Sequence, residues 1–399
     1  MSERKTLTKL MIFAALLGCG QTALLVCLPS LSSITKLNTA QMASVVALGS
    51  GMFLIGNPVW GYLSDRWSRR GALLVGVAGY AISFLVIALA LHQTPESQTK
   101  HTFYLLLAAR LIYGLTASSI YPTIQAWALD SLSKNTTPQD EVLATKTLTQ
   151  LAAAVNAGRL AGPVIAAPLL IFGPVWVLLA LSLFATFLAV LVTAIPNAVT
   201  HFRVPPKREA TTTIWLLLLA GITLTMILGA LQYSLGFLLS EYLTSSKEAG
   251  ITTALVLIFC TLFILSLQVC ITSKLNEPWV NAVPLACLSL ITGCALLFVN
   301  SLVTLLIAVI MISSAAATLA PIYQSEAAKG VGSRGRTIGL FGMAHALGGS
   351  LGTWVAGWLL LDSNLPLFIG IGVLSVISSL MLLPRSLKYR QRTKTLLPS

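Results

Sequence analysis

The chain has 399 residues, of which 56% are apolar and 9% charged. Soluble domains carry roughly 25% charged residues, so this composition excludes an ordinary cytosolic enzyme. A net charge of +13 would suggest nucleic acid as the partner of a soluble protein, but the basic residues here follow membrane topology. Apolar segments of about 20 residues, each able to cross roughly 30 Å of hydrocarbon as a helix, recur along the whole length. They predict spans at 9–30, 41–63, 71–92, 102–129, 145–170, 174–195, 213–240, 249–273, 279–299, 301–325, 336–361 and 364–384. No stretch is long and polar enough to hold an appended soluble domain. The expected fold class is an all-α membrane protein with twelve transmembrane helices.

The connections 1–8, 64–70, 130–144, 196–212, 274–278, 326–335 and the tail hold most of the basic residues, among them Arg66, Arg69, Arg70, Arg203, Lys207 and Arg208. The opposite side has only Lys36, Lys100 and Lys247. By the positive-inside rule both termini are cytoplasmic, which fits an even number of spans. The expected partner is the lipid bilayer and not nucleic acid. All six cysteines (Cys19, Cys27, Cys260, Cys270, Cys287, Cys294) fall in apolar spans with no CxxC pair. They read as small packing residues rather than disulfides or metal ligands. The start, MSERKTLTKL, runs into the first span without a small-residue cleavage site, so no removable signal peptide is expected.

The polar connection 196–212 divides the chain into a six-span bundle at 1–195 and a second at 213–399, the latter with a short basic tail. The halves echo each other. Leu17-Gly18-Cys19-Gly20-Gln21 in span 1 matches Leu228-Gly229-Ala230-Leu231-Gln232 in span 7, and Pro122-Thr123-Ile124-Gln125 in span 4 matches Pro321-Ile322-Tyr323-Gln324 in span 10. Two matches at corresponding positions support a duplicated unit, giving two pseudo-symmetric six-helix bundles with a site between the repeats.

After span 2 comes Gly61-Tyr62-Leu63-Ser64-Asp65-Arg66-Trp67-Ser68-Arg69-Arg70. It resembles the loop signature GxLaDRxGRR of the major facilitator superfamily, with Ser68 where glycine is usual. Arg110-Leu111-Ile112-Tyr113-Gly114 in span 4 resembles that superfamily's RxxxG motif. Gly158-Arg159-Leu160-Ala161-Gly162-Pro163-Val164-Ile165-Ala166-Ala167 in span 5 is similar to the GxxxGPxxGG motif of its antiporters, with alanine for the last two glycines. The resemblance implies an alternating-access transporter of the proton-linked efflux branch, a monomer in a bacterial inner membrane. It also implies gating roles: Gly61, Asp65, Arg66, Arg69 and Arg70 in a cytoplasmic latch with Asp130 as candidate partner, and Gly158, Gly162 and Pro163 in an outer seal. Read from the residues alone, Gly158, Gly162 and Ala166 form a small-residue stripe for close helix packing, and Pro163 permits a bend. The loop, read the same way, is a solvated turn with topology-setting charges.

The twelve carboxylates all fall in connections or at span ends, whereas Arg110, Arg159 and His345 lie inside spans. A guanidinium in the membrane needs a partner or a water-filled cavity. At 100° per residue Arg110, Gly114, Ala117, Tyr121 and Gln125 share one stripe of span 4, and Asn156 shares a face with Arg159. Together with Gln21, Gln232, Gln324 and Tyr233 they are the candidate substrate-binding residues. Helix–helix hydrogen bonding or packing is the alternative for each. Two cations among amides and tyrosines suit an anionic, hydrogen-bonding solute, because guanidinium forks hold carboxylates bidentately. His345, with an ordinary pKa of about 6.5, is a candidate proton carrier, as is Arg110 through the motif it resembles.

The expected function is proton-coupled export of an organic anion, a carboxylate-rich metabolite such as a siderophore. The alternative is a polyspecific drug/proton antiporter of the same superfamily, for which a membrane-embedded acid would be expected. Uptake of a sugar or nutrient anion is disfavoured by the span-5 motif, and a sensor by the short tail. No HExxH, GxSxG, phosphate-binding glycine loop or His/Cys cluster occurs, so neither an enzyme nor a cofactor is expected.

Overall fold

Backbone N–H and C=O groups find no water in hydrocarbon, so a spanning segment must satisfy them internally. In a computed structural model that describes residues 2–92, 99–132, 138–195, 212–274, 278–330 and 334–396, the chain does so with helices throughout. The first half contains α1 (Ser2–Thr35), α2 (Thr39–Gly51), α3 (Phe53–Arg66), α4 (Arg69–His92), α5 (Thr99–Ala117), α6 (Ile120–Leu132), α7 (Pro138–Leu170) and α8 (Pro174–Thr193). The second contains α9 (Thr212–Ser240), α10 (Ser246–Lys274), α11 (Pro278–Leu296), α12 (Leu302–Gly330), α13 (Arg334–Leu359) and α14 (Leu365–Leu396). Since α2 with α3 and α5 with α6 each make one span, the fourteen helices build twelve spans, six in each half. Ten stretches among the described residues are long and apolar enough to cross a membrane.

Several helices outrun the apolar segments that announce them. The loop expected at 130–144 yields to α7 from Pro138, that at 326–335 to α12 as far as Gly330, and the tail to α14, which continues through Pro384 to Leu396. Hydropathy marks where hydrocarbon contact ends. A helix continues past that point as long as its own hydrogen bonds hold, and one proline removes only one of them. The connection read at 196–212 lies almost wholly outside the described residues. Between α7 and α8 the chain turns in three residues, because Gly173 adopts φ 123° and Pro174 opens α8 with its fixed φ.

The chain forms two compact units, 1–203 with 243–255, and 204–242 with 256–399. Residues 243–255 pack with the first unit: a Cβ on Gly250 would lie 2.6 Å from the Val26 carbonyl oxygen, and Lys247 Nζ donates to the Ile171 carbonyl at 2.6 Å.

Spans 2 and 4 are interrupted at one level of the first unit. In span 4, Ser119 N turns back to Thr116 O at 2.9 Å, and Pro122 has no N–H to return to the preceding turn. In span 2 the interruption is at Met52. A Cβ on Gly114 would lie 2.7 Å from Gly49 O, and one on Gly56 would lie 2.6 Å from Ser118 Cβ. Trp60 Nε1 reaches across to donate to Leu115 O at 2.6 Å.

Candidate functional site

Close helix approach sets where the polar side chains stand. On α1 and α7 a Cβ at Gly158 would overlap the Ala15 carbonyl, one at Gly162 would lie 2.5 Å from Cys19 O, and one at Gly18 would lie 2.8 Å from Arg159 N. In the second unit a Cβ at Gly229 would lie 2.9 Å from Gly349 Cα, and one at Gly352 would overlap the Met226 carbonyl. Pairing Gly18–Val155 with Gly229–Gly349, and Ala15–Gly158 with Met226–Gly352, imposes one register on both repeats. It is the register that aligns Gln21 with Gln232. In it Arg159 corresponds to Thr353 and Asn156 to Ser350. Thr353 Oγ1 donates to Gly229 O at 3.3 Å. The repeats thus share a seam but not a charge.

Held by the first seam, Arg159 is exposed in mid-span, as is Asn156, whose Oδ1 accepts from Arg159 Nη1 at 3.4 Å. Half-buried Tyr121 on α6 lies within electrostatic reach of this guanidinium and hydrogen-bonds the Gln125 side chain. Gln21 on α1 is half-buried. Among the described residues no carboxylate pairs with Arg159, so the cluster offers a cation, two amides and a phenol with donors to spare.

Arg110 is elsewhere. The stripe expected from Arg110 to Gln125 assumed one unbroken helix, and the turn at Ser118–Ser119 divides it. Arg110, Gly114 and Ala117 are buried, while Tyr121 and Gln125 are half-buried. The Arg110 side chain, 3% exposed, lies with its guanidinium carbon 4.1 Å from the Tyr113 ring centroid. Gly49 faces it closely enough that a Cβ there would sit 2.6 Å from Arg110 Nε. Tyr80, Phe84 and Phe53 pack around Tyr113 with centroids 5.6, 6.1 and 5.7 Å away. Arg110 Nε and Nη1 are buried without a hydrogen-bond partner.

In the second unit His345 Nε2 and the Tyr323 hydroxyl are 2.7 Å apart, and Tyr323 also bonds the Gln324 side chain. Phe341 flanks both rings at 5.5 and 6.1 Å, and Gly221 on α9 leaves room for the pair. Gln232 is exposed, whereas Tyr233 is buried against Phe237, 5.3 Å between centroids. Tyr323 was not singled out in the sequence, although it sits inside the repeated PxxQ motif.

At the basic end of the first unit, buried Arg69 joins three elements. It ion-pairs with Asp65, donates from Nε to Asp130 Oδ2 at 3.1 Å, and donates from Nη1 to Ser64 Oγ at 2.8 Å. Ser68, the departure from the motif, caps α4: its Oγ accepts from Gly71 N at 2.8 Å. Arg66 lies 4.3 Å over the Tyr62 ring, and Arg70 donates to the Thr193 carbonyl. Around Gly61 nothing lies within 4 Å of a built Cβ. Among the described residues no group of His, Cys, Asp and Glu gathers that could hold a metal ion.

The sequence profile of the Major Facilitator Superfamily matches residues 10–353. Multidrug resistance protein 2 of Bacillus subtilis (strain 168) is 27% identical over 166 residues, 41% of this chain and 37% of that protein. The match therefore spans little more than a third of that relative's length. A bacterial homologue of the human lysosomal transporter Spinster, inward-facing and occupied, superposes with TM-score 0.75 at 15% identity, covering 99% of this chain and 97% of its own. The human organic anion transporter MFSD10 (TETRAN) gives 0.64 at 20% identity, over 96% and 100% of the two chains. A D-xylose–proton symporter gives 0.73 at 14%, over 96% and 97%. At such identities these structures show the fold alone.

Proposed function

The chain belongs to the Major Facilitator Superfamily and is a secondary transporter, and from that premise we propose that it is a proton-linked exporter of several organic solutes. The similarity to a Bacillus multidrug resistance protein supports export and breadth, and the antiporter-like motif that closes the α1–α7 seam at Gly158 and Gly162 supports export. One observation carries the substrate class. A guanidinium exposed in mid-span, with Asn156, Tyr121 and Gln125 around it and no paired acid, favours solutes bearing a carboxylate or another strong acceptor. Arg159 anchors that group, and Tyr121 and Gln125 complete its hydrogen bonds. The pair of half-buried His345 and buried Tyr323 carries the proton, with Arg110 held back under its aromatic lid in this state.

A narrower reading, export of one carboxylate-rich metabolite such as a siderophore, is favoured by the same guanidinium. That a human organic anion transporter shares the fold is compatible with either. Both readings put the protein in a bacterial cytoplasmic membrane as a monomer, with both termini inside.

Everted membrane vesicles acidified by respiration test the proposal. Adding a transported solute should dissipate the acid interior as protons leave in exchange. Responses to several amphipathic organic anions support broad export, and a response to one polycarboxylate alone supports the narrower reading. Responses confined to lipophilic cations, or none to any solute, would overturn the anion-binding role of Arg159.

A further inference from the structure

The second unit contains a cavity of about 220 Å³ at the end opposite its basic connections, between the last turn of α9, the α11–α12 connection and the start of α14. Its polar lining is Glu241, Tyr242, Asn300 and Asn364, and Phe298 and Phe368 are among its apolar walls. Both Glu241 carboxylate oxygens accept from Asn364 Nδ2 at 2.7 Å, which aims the carboxylate and leaves most of its acceptor capacity unused. Tyr242 donates its hydroxyl to Asn300 Oδ1 at 2.6 Å, fixing that ring. Phe298 and Phe368 meet edge to face with centroids 6.0 Å apart.

No lysine, arginine or histidine lines this cavity, so the carboxylate has no internal counter-charge. A negative charge among three aromatic rings is the chemistry that attracts an alkylammonium ion, through charge and through the ring quadrupoles. Size limits the occupant. At roughly 30 Å³ per water the cavity holds the volume of about seven waters. That suits a choline-sized ion and is below the roughly 300–1,000 Å³ of pockets for drug-sized molecules. A drug-sized solute of the kind proposed for the Arg159 cluster would outsize it.

We propose that this cavity, anchored by Glu241 and walled by Tyr242, Phe298 and Phe368, binds a small organic ammonium ion at the outer face. The site is independent of the export reading and stands or falls separately. The ammonium group is either that of a soluble amine or that of an aminophospholipid headgroup.

The test uses the purified full chain in detergent, with choline as probe and its uncharged carbon isostere, neohexyl alcohol, as control. Saturation-transfer NMR reads binding directly. Choline should bind saturably, and the neutral isostere roughly tenfold more weakly. Glu241→Gln keeps an acceptor for Asn364 and should weaken choline by a similar factor. Phe368→Leu, which leaves the carboxylate alone, is the second variant should the first fail to fold. Repeating the titration in nanodiscs with and without phosphatidylethanolamine separates the sources: competition by that lipid supports the headgroup, and its absence supports a soluble amine. Equal binding of choline and the isostere, no saturable binding, or unchanged affinity in both variants would overturn the site.

Discussion

Arg110 and Arg159 are both guanidiniums inside spans, yet their surroundings give them opposite energetics. Arg159 stands in an open position beside Tyr121. Arg110 is 3% exposed and has buried nitrogens with no hydrogen-bond partner, an arrangement that costs stability unless another state uses it. Arg110→Met should therefore raise the thermal midpoint, with a gain of about 1–3 kcal/mol, while lowering transport. A lower midpoint would mean that the guanidinium is well satisfied where it lies. Much of this contrast was hidden in the sequence. The pairing of Asn156 with Arg159 follows from helical spacing, so it was legible. The stripe joining Arg110 to Tyr121 was misread because spacing arguments assume one helix, and two serines before Pro122 interrupt it. Tyr323 escaped notice because its partner His345 is on another helix, a distance that no local pattern encodes.

Among the elements, glycines separate packing from other roles. Gly158 on α7 faces the backbone of α1, which cannot yield as a flexible side chain does. Gly158→Val should cost about 1–3 kcal/mol in thermal denaturation. Gly61, although part of the loop motif, has open space around it and lies within α3. Gly61→Ala should accordingly stabilise by about 0.5–1 kcal/mol, so any loss of transport in that variant would come from another conformational state. The Arg69 cluster ties α3, α4 and α6 together. Arg69→Ala leaves Asp130, 14% exposed, without its cation and should destabilise by about 2 kcal/mol or more. Asp130→Asn, which keeps an acceptor for Nε, should cost less. Equal losses would show that geometry rather than charge matters there. The loop motif was legible as a charge cluster, and Ser68 as a departure from it. That the serine caps α4 emerged only with the backbone of the turn.

At the scale of the molecule, twelve spans could be read from hydropathy, because the bilayer imposes the length of each apolar helix. Helix ends beyond hydrocarbon could not, since α7, α12 and α14 continue into polar sequence. The repeat is legible twice, in the Gln21–Gln232 match and in the shared seam, while its broken symmetry at Arg159 and Thr353 needed the contact register. Proton coupling through His345 predicts that exchange depends on pH through that imidazole. His345→Gln should flatten that profile, and an unchanged profile would move the proton elsewhere. The central claim, that solute docks on the exposed Arg159 cluster, is tested most directly by ligand-induced thermal stabilisation of the purified protein. The panel contains organic anions, phosphorylated solutes, neutral sugars and lipophilic cations, each measured beside Arg159→Ala. The account predicts stabilisation by anions, lost in the variant by about 10–100-fold in affinity, as expected for a charge-assisted bond. Stabilisation by cations that persists unchanged in Arg159→Ala would contradict it.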